Sequence, residues 1–351
     1  MQILAWPAYR NPDNPYNWLL YRHVQELGVQ VDEFSTGRLL TGTHSLLHIH
    51  WPDRFLNDRN VLRALAKAQI YLWLLHIARR RGMKIVWTVH NLAAHEGLYP
   101  RIEARFWSRF IRCVDGYICL TDRGLQMTGE RFPLLRDRMG VVAPLGTYRG
   151  VYPDRVNTLQ ARAALSIAAD ARVILFFGLI RPYKGVPRLI RAFRALDDQD
   201  AILLIAGHVG TEALATEIRR EADGDRRVQL HLKYVPDERV QLFFRSADLV
   251  VLPFVEVLNS SSAMLSLAFD KPLLLPRRGT LHELQAAVGE RWVRLFSGDL
   301  DAQCLRDGLD WCVDTEREQA APLEAFDWRD VARRTVAAYE RVVNEPVALL
   351  K

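Results

Sequence analysis

The sequence predicts an α/β protein made of two doubly wound, Rossmann-like domains in tandem. Three observations lead there. A chain of 351 residues, 49% hydrophobic and 25% charged, suits a globular protein of about two domains. Short apolar runs alternate with longer helical patterns, the rhythm of a parallel sheet covered by helices. That rhythm weakens once, around TYRGVYPDRVNT (147–158), and then restarts. The expected division is 1–150, 151–325 and a closing helical segment over 326–351.

Taken in order, QILAWPAY reads as a strand and NPYNWLLYRHVQELG as a helix ending at Gly28. VQVDEFS and SLLHIHWP are strand-like. A helical pattern from Asn60 to Arg81 leads into the strand MKIVWTVHN, and GYICLT and GVVAPLG are further short strands. The second domain opens on the strand ARVILFFGL, followed by the helix VPRLIRAFRAL and the strand AILLIAG. Next come the helix TEALATEIRREAD, the strand RVQLHLKYV, the helix DERVQLFFRSA and the strand DLVVLPF. A serine-led helix and the strand PLLLP follow. FDWRDVARRTVAAYERVV is an amphipathic helix with Asp327 as its N-cap.

No apolar run is read as reaching the roughly 18–20 residues that span a bilayer. The start, MQILAWPAYR, lacks the basic-then-apolar pattern of a secretory signal. Cys113, Cys119, Cys304 and Cys312 show no CxxC spacing and read as free thiols of a reducing compartment. Residues 1–150 hold 20 Lys and Arg against 12 Asp and Glu, whereas the remainder holds 27 against 29. The basic first half therefore faces something anionic. RIEARFWSRFIRCV (101–114) interleaves arginines with Phe106, Trp107 and Phe110, a pattern suited to an anionic bilayer surface. No nucleic-acid-binding motif accompanies the charge. His44, His48, His50, His90 and His95 offer no assignable ligand set, so no metal is expected.

In doubly wound sheets, ligands sit outside the carboxyl ends of the strands. In FFGLIRPYKGVPRLIRAF, Arg181 and Lys184 lie between a strand and a helix N-terminus, a combination that binds diphosphate. Asn259, Ser260, Ser261 and Ser262 sit where the next helix starts. One cap residue is enough for a helix, so the run points to backbone N–H groups and hydroxyls offered to phosphate. Gly207 and Gly210 permit close backbone approach, and Tyr234 and Val235 are placed to flank a base.

These stretches, with YVPDERVQLFFRSADLVVLPF and LNSSSAMLSLAFDKPLLLP, resemble the C-terminal domain of the bacterial group 1 GT-B glycosyltransferases. NPYNWLLYRHVQELG and TVHN resemble the family's acceptor domain. FDWRDVARRTVAAYERV is similar to its closing helix, which packs back toward the first domain. The resemblance implies a nucleotide-diphosphate sugar as donor substrate, no cofactor, and a lipid-linked saccharide acceptor. Among such enzymes the exopolysaccharide mannosyltransferases, which use GDP-mannose, are the nearest in pattern. It also implies a peripheral enzyme on the cytoplasmic face of the inner membrane. By the same resemblance Arg181 and Lys184 hold the diphosphate, Glu256 and the serines line the donor site, and His90 sits near the donor sugar.

Two departures stand out. The retaining members carry two glutamates eight positions apart, but Met264 stands eight after Glu256. Aligning on Pro272 instead puts Val257 and Leu265 at those positions. The usual glycine-rich first loop is replaced by YRNPDNPYN. An inverting reaction needs a general base, and the first-domain acids available are Glu96, Asp13 and Asp53. Three readings remain beside it: a retaining transferase using Glu256 with a UDP-sugar, a non-catalytic nucleotide-sugar-binding subunit, and an epimerase.

Overall fold

A computed structural model of the protein describes residues 1–10, 14–94 and 97–344. The chain forms two compact units. The first is Met1–Gly146 together with the segment from Phe326, and the second is Thr147–Ala325.

In the first unit, β1 (Gln2–Trp6), β2 (Gln30–Glu33), β3 (Leu46–His50), β4 (Lys84–Thr88), β5 (Gly116–Cys119) and β6 (Met139–Val142) form one sheet. Its order is β2-β1-β3-β4-β5-β6, and every pairing is parallel. Strands of a parallel sheet covered on both faces are buried throughout. All five residues of β3, including His48 and His50, are accordingly inaccessible. The helices Tyr16–Glu26 and Trp328–Asn344 lie against one another beside this sheet. The closing helix thus completes the first unit.

The basic helix Pro100–Cys113 corrects one expectation. Its Phe106, Trp107 and Phe110 point into the core, where Trp107 and Phe110 meet Trp87 with ring centroids 5.4 and 5.3 Å apart. Only the arginine face is exposed, since an amphipathic helix buries its apolar stripe on its own sheet before anything else. The preceding helix, Val61–Arg80, differs in the other direction. It is long and apolar enough to cross a membrane by length and composition, which the charges within it obscured. Ala64, Ala68, Tyr71, Leu74, Leu75 and Ala78 pack inward, while Leu62, Leu65, Ile70 and Trp73 remain exposed.

In the second unit the strands are β7 (Arg172–Phe177), β8 (Ala201–Ala206), β9 (Val228–His231), β10 (Leu249–Val251), β11 (Leu273–Pro276) and β12 (Val293–Phe296). The parallel order β12-β11-β10-β7-β8-β9 is the Rossmann arrangement, with its switch point between β7 and β10. Phe176, Phe193, Phe244 and Phe269 fill the core. At the amino ends of the strands, Arg162 forms a two-pronged bond to Asp248, with Nη2 2.9 and 2.8 Å from the carboxylate oxygens. The same Asp248 accepts the Val173 N–H at 2.7 Å, so one carboxylate ties a helix to two strands.

Candidate active site

The second unit's site is built on glycines. β7 is followed directly by Gly178, whose φ of 128° suits only glycine. A Cβ there would strike the Ser262 hydroxyl and stand 3.6 Å from Lys184 Nζ, so three segments converge on this point. Gly207, after β8, has φ 148° and passes so close to the Gly178 carbonyl that a side chain would collide with it. The two loops are sewn together by Ile180 N–H donating to the His208 carbonyl at 2.8 Å and Gly210 N–H to the Ile180 carbonyl at 3.1 Å. The Arg181 guanidinium lies across Gly210, where a Cβ would overlap it.

Lys184 ends the short turn Pro182–Lys184, and Gly185, at φ 70°, starts the helix Val186–Arg194 against the Pro253 carbonyl. Lys184 Nζ sits 5.7 Å above the Phe254 ring. Burial, reinforced by the neighbouring Arg181 cation, pushes its ammonium down to about 8. Two like charges set together at a strand's carboxyl end repel one another, and a bound dianion relieves that repulsion.

The serine-led helix is Ser261–Ala268. Ser260 caps it, its hydroxyl accepting the Ala263 N–H at 3.0 Å. The first turn, with Ser261 and Ser262, carries the positive end of the helix dipole. Ser262 itself is buried against Gly178, and its carbonyl accepts the Ser266 hydroxyl at 2.7 Å. Neighbouring loops fix the preceding segment. Val255 N–H donates to the Tyr183 carbonyl at 2.8 Å, Arg278 Nη1 to the Val255 carbonyl at 3.0 Å, and the Thr280 hydroxyl to the Leu258 carbonyl. Glu256 is exposed on this segment, with Asn259 partly covered three residues on. Met264 and Leu265, the positions available for a second glutamate, are buried apolar side chains of the helix.

β9 ends at His231, four residues before the expected strand boundary, because the chain must turn toward Pro236 and the helix Asp237–Ser246. Tyr234 therefore stands in a loop, 60% exposed, with its hydroxyl donating to Asp237 at 3.2 Å, and Val235 is buried beneath. Tyr152, which the sequence reading passed over, lies near Tyr234 and Asp237. Burial, with those neighbours, pushes its phenol up to about 12. A cavity of about 500 Å³ also opens on this unit, but at the amino ends of the strands. The arginines around it are already engaged: Arg162 with Asp248, Arg172 with Asp198 and Asp310, and Arg317 with backbone carbonyls including that of Arg291.

In the first unit the switch point falls between β1 and β3, and β3 brings His48 and His50 to it. The Tyr21 hydroxyl lies 2.8 Å from His48 Nδ1 and 2.6 Å from His50 Nε2. His50 Nδ1 lies 2.9 Å from His90 Nε2, and His48 Nε2 lies 2.7 Å from the Thr88 hydroxyl. Tyr339, on the closing helix, places its hydroxyl 2.7 Å from His48 Nδ1. Trp51, held at φ 45°, stacks on His90 at 4.1 Å, and Tyr16 meets that ring edge-on at 5.0 Å. Burial keeps all three imidazoles neutral. His48 and His90 are pushed down to about 3, and His50 well below its ordinary value.

Of the three acids expected to supply a base, Asp13 and Glu96 lie outside the described residues. Asp53 is nearly sealed off, and its Oδ1 has no hydrogen-bond partner among the described residues. Burial, with the like charge of Glu103 adding to it, raises its carboxyl to about 7. Glu103 is itself occupied, accepting the Ala94 N–H at 2.7 Å and the Trp107 indole N–H at 3.1 Å.

Comparison with known proteins now bears on this geometry. A family model described as "Glycosyl transferases group 1" matches residues 157–261, which include the Arg181–Lys184 loop and the helix start at Ser261. Over 93% of its length the chain is 30% identical to the GDP-mannose:glycolipid 4-beta-D-mannosyltransferase of Xanthomonas campestris pv. campestris, covering 88% of that protein. The chain belongs to the group 1 glycosyltransferases. Solved structures agree on the fold of this glycosyltransferase. The sucrose-phosphate synthase of Thermosynechococcus elongatus superposes with a TM-score of 0.67 at 14% identity, with 98% of this chain and 96% of that one covered. HepE of Anabaena, solved in complex with UDP-glucose, gives 0.62 at 15% identity, with 97% and 95% covered. The transferase thus has the GT-B fold.

Most of the second-unit residues singled out in its sequence, namely Arg181, Lys184, Gly207 and the Ser260–Ser262 turn, meet around Gly178. In the first unit, sequence reasoning found His90 but missed Tyr21, Thr88 and Tyr339. The available signal was HIH inside a strand that had to be fully buried. A buried polar side chain requires partners, and tyrosines supply them here.

Proposed function

We propose that this glycosyltransferase moves mannose from GDP-mannose, with inversion, onto a lipid-linked saccharide at the cytoplasmic face of the inner membrane. The observation that carries the donor reading is the Arg181–Lys184 pair above Gly178 and Gly210, beside a serine-capped helix start. These cations stabilise the charge that grows on the diphosphate as the bond to C1 breaks. The mannosyl and guanine assignments draw on the Xanthomonas relative, a GDP-mannose:glycolipid 4-beta-D-mannosyltransferase. Inversion draws on Met264 and Leu265, which leave Glu256 without a second carboxylate eight positions on. The membrane assignment draws on the exposed Leu62, Leu65, Ile70 and Trp73 beside the outward arginines of Pro100–Cys113, an apolar surface next to a basic one. Arg109 bridges the two helices by donating to Gln69 at 3.3 Å.

Two measurements test this. In a nucleotide panel, GDP raises the melting midpoint and UDP does not, with about 2.7 kcal/mol of stabilisation at a ligand concentration 100 times Kd. A shift with UDP alone overturns the guanine donor. NMR of the product of GDP-mannose and a lipid-linked acceptor shows a β-linkage. An α-linkage overturns inversion and returns the reaction to Glu256.

A further inference from the structure

The loop after β1 is organised by an acid. In a doubly wound domain, the turn after the first strand takes phosphate on its backbone N–H groups. Here that turn borders the switch point between β1 and β3, reads Pro7, Ala8, Tyr9, Arg10, and holds no glycine. Its N–H groups nevertheless converge. Ala8 N–H donates to both carboxylate oxygens of Glu33, at 3.3 and 3.2 Å. Tyr9 N–H and Arg10 N–H donate to Glu33 Oε2 at 2.8 and 3.2 Å. Three successive N–H groups on one oxygen are the contacts that a bound anion makes. Glu33 is the last residue of β2, paired with Ala5 of β1, so the sheet itself sets the carboxylate beside the loop. Other contacts fix the loop. The buried Asn17 side chain donates to the Pro7 carbonyl at 2.6 Å, and Trp6 stacks on Phe34 at 3.8 Å. Arg38, the nearby cation, donates to the Glu33 backbone carbonyl at 3.0 Å, and among the described residues no cation pairs with the Glu33 carboxylate.

We propose that Glu33 is a specificity-determining residue: its carboxylate fills the anion-binding loop after β1 and bars phosphate from it, leaving that edge of the first unit to an uncharged part of the acceptor. The acceptor clause rests on the transfer reaction proposed above; the filled loop does not. A carboxylate held by charge-assisted hydrogen bonds occupies the donors that a phosphate needs, and its own negative charge repels a second anion. The second unit offers the counterpart. Its turn from Gly178 to Gly185 contains Arg181 and Lys184 and no acid. One turn is thus set up to receive an anion, and the other already contains one. Removing the carboxylate frees three N–H groups at one point, which makes an empty anion site.

The test is an NMR titration of the full-length protein with inorganic phosphate. ¹⁵N-tyrosine labelling gives 11 backbone amide signals, and Tyr9→Phe identifies the one from the loop. In the wild type the Tyr9 amide does not move with phosphate. In Glu33→Ala it moves, and phosphate binds there about tenfold more tightly or better, the worth of a charge-assisted hydrogen bond. A wild-type Tyr9 amide that moves with phosphate, or a Glu33→Ala amide that stays still, overturns the proposal. Should Glu33→Ala not fold, Glu33→Gln takes its place. It keeps the shape, removes the charge and shows the same movement, and a still amide in that protein overturns the proposal as well. In transfer assays with GDP-mannose and a lipid-linked saccharide, glucose 1-phosphate competes with the acceptor about tenfold better in Glu33→Ala than in the wild type, with KM for the donor unchanged. Equal competition in the two proteins overturns the acceptor role. Absence of mannosyl transfer by the wild type counts against the proposed reaction and leaves the phosphate titration standing.

Discussion

At the carboxyl end of β7, the second unit sets Arg181 and Lys184 side by side over a floor of glycines. At the carboxyl end of β3, the first unit gathers three histidines and two tyrosines and holds the imidazoles uncharged. Both lie where ligands bind in doubly wound sheets, yet they are opposite solutions. One keeps positive charge partly desolvated, ready for an anion. The other removes charge and keeps directed hydrogen bonds.

The contrast can be broken one side at a time. The largest effect is expected from acid. His48 has a folded value of about 3 against 6.5 for a free imidazole, so its contribution is present above pH 6.5 and is lost as pH falls toward 3. By pH 4.5 this amounts to about 3 kcal/mol, seen as a fall in the denaturant midpoint that His48→Gln reduces. Next, Lys184→Ala lowers kcat/KM for the donor about 100-fold, the range for a charged hydrogen bond, while the melting midpoint changes little.

Gly207→Ala follows, destabilising by about 2 kcal/mol, because φ 148° is strained for alanine and its Cβ meets the Gly178 carbonyl. Chemical denaturation measures it. Smallest is a pH effect on binding. In the proposed donor site Lys184 takes up a diphosphate as the ammonium, so affinity is full only well below pH 8 and falls as pH rises through it. Nucleoside-diphosphate titrations show about fivefold weakening between pH 8 and 9, abolished in Lys184→Arg.

The second unit was the more legible of the two. Glycines at strand ends, cations before a helix and serines at a helix start are local signals, each with a local cause. Even so β12 was missed, since an edge strand reading VRLF mixes one arginine among three apolar residues and is only half-buried. In the first unit the decisive contacts join Tyr21, His48 and Tyr339, and the last two are separated by 291 residues. No spacing rule reaches that far. Asp53 looked like an ordinary loop acid, and only packing reveals that it is buried with Oδ1 unsatisfied. Phe106, Trp107 and Phe110 show the same limit, because sequence cannot say which apolar stripe turns inward when two neighbouring helices both carry one.

The closing helix has a consequence for synthesis. It supplies Trp328 and Tyr339 to the first unit, yet it follows all of Thr147–Ala325 in the chain. As the polypeptide leaves the ribosome, the second unit has every residue of its core before the first unit does. His48 waits, without its Tyr339 partner, until the second unit has been completely made. The usual order, in which the amino-terminal domain finishes first, does not hold here, since the first unit cannot complete its histidine cluster until every residue of the second unit has been made.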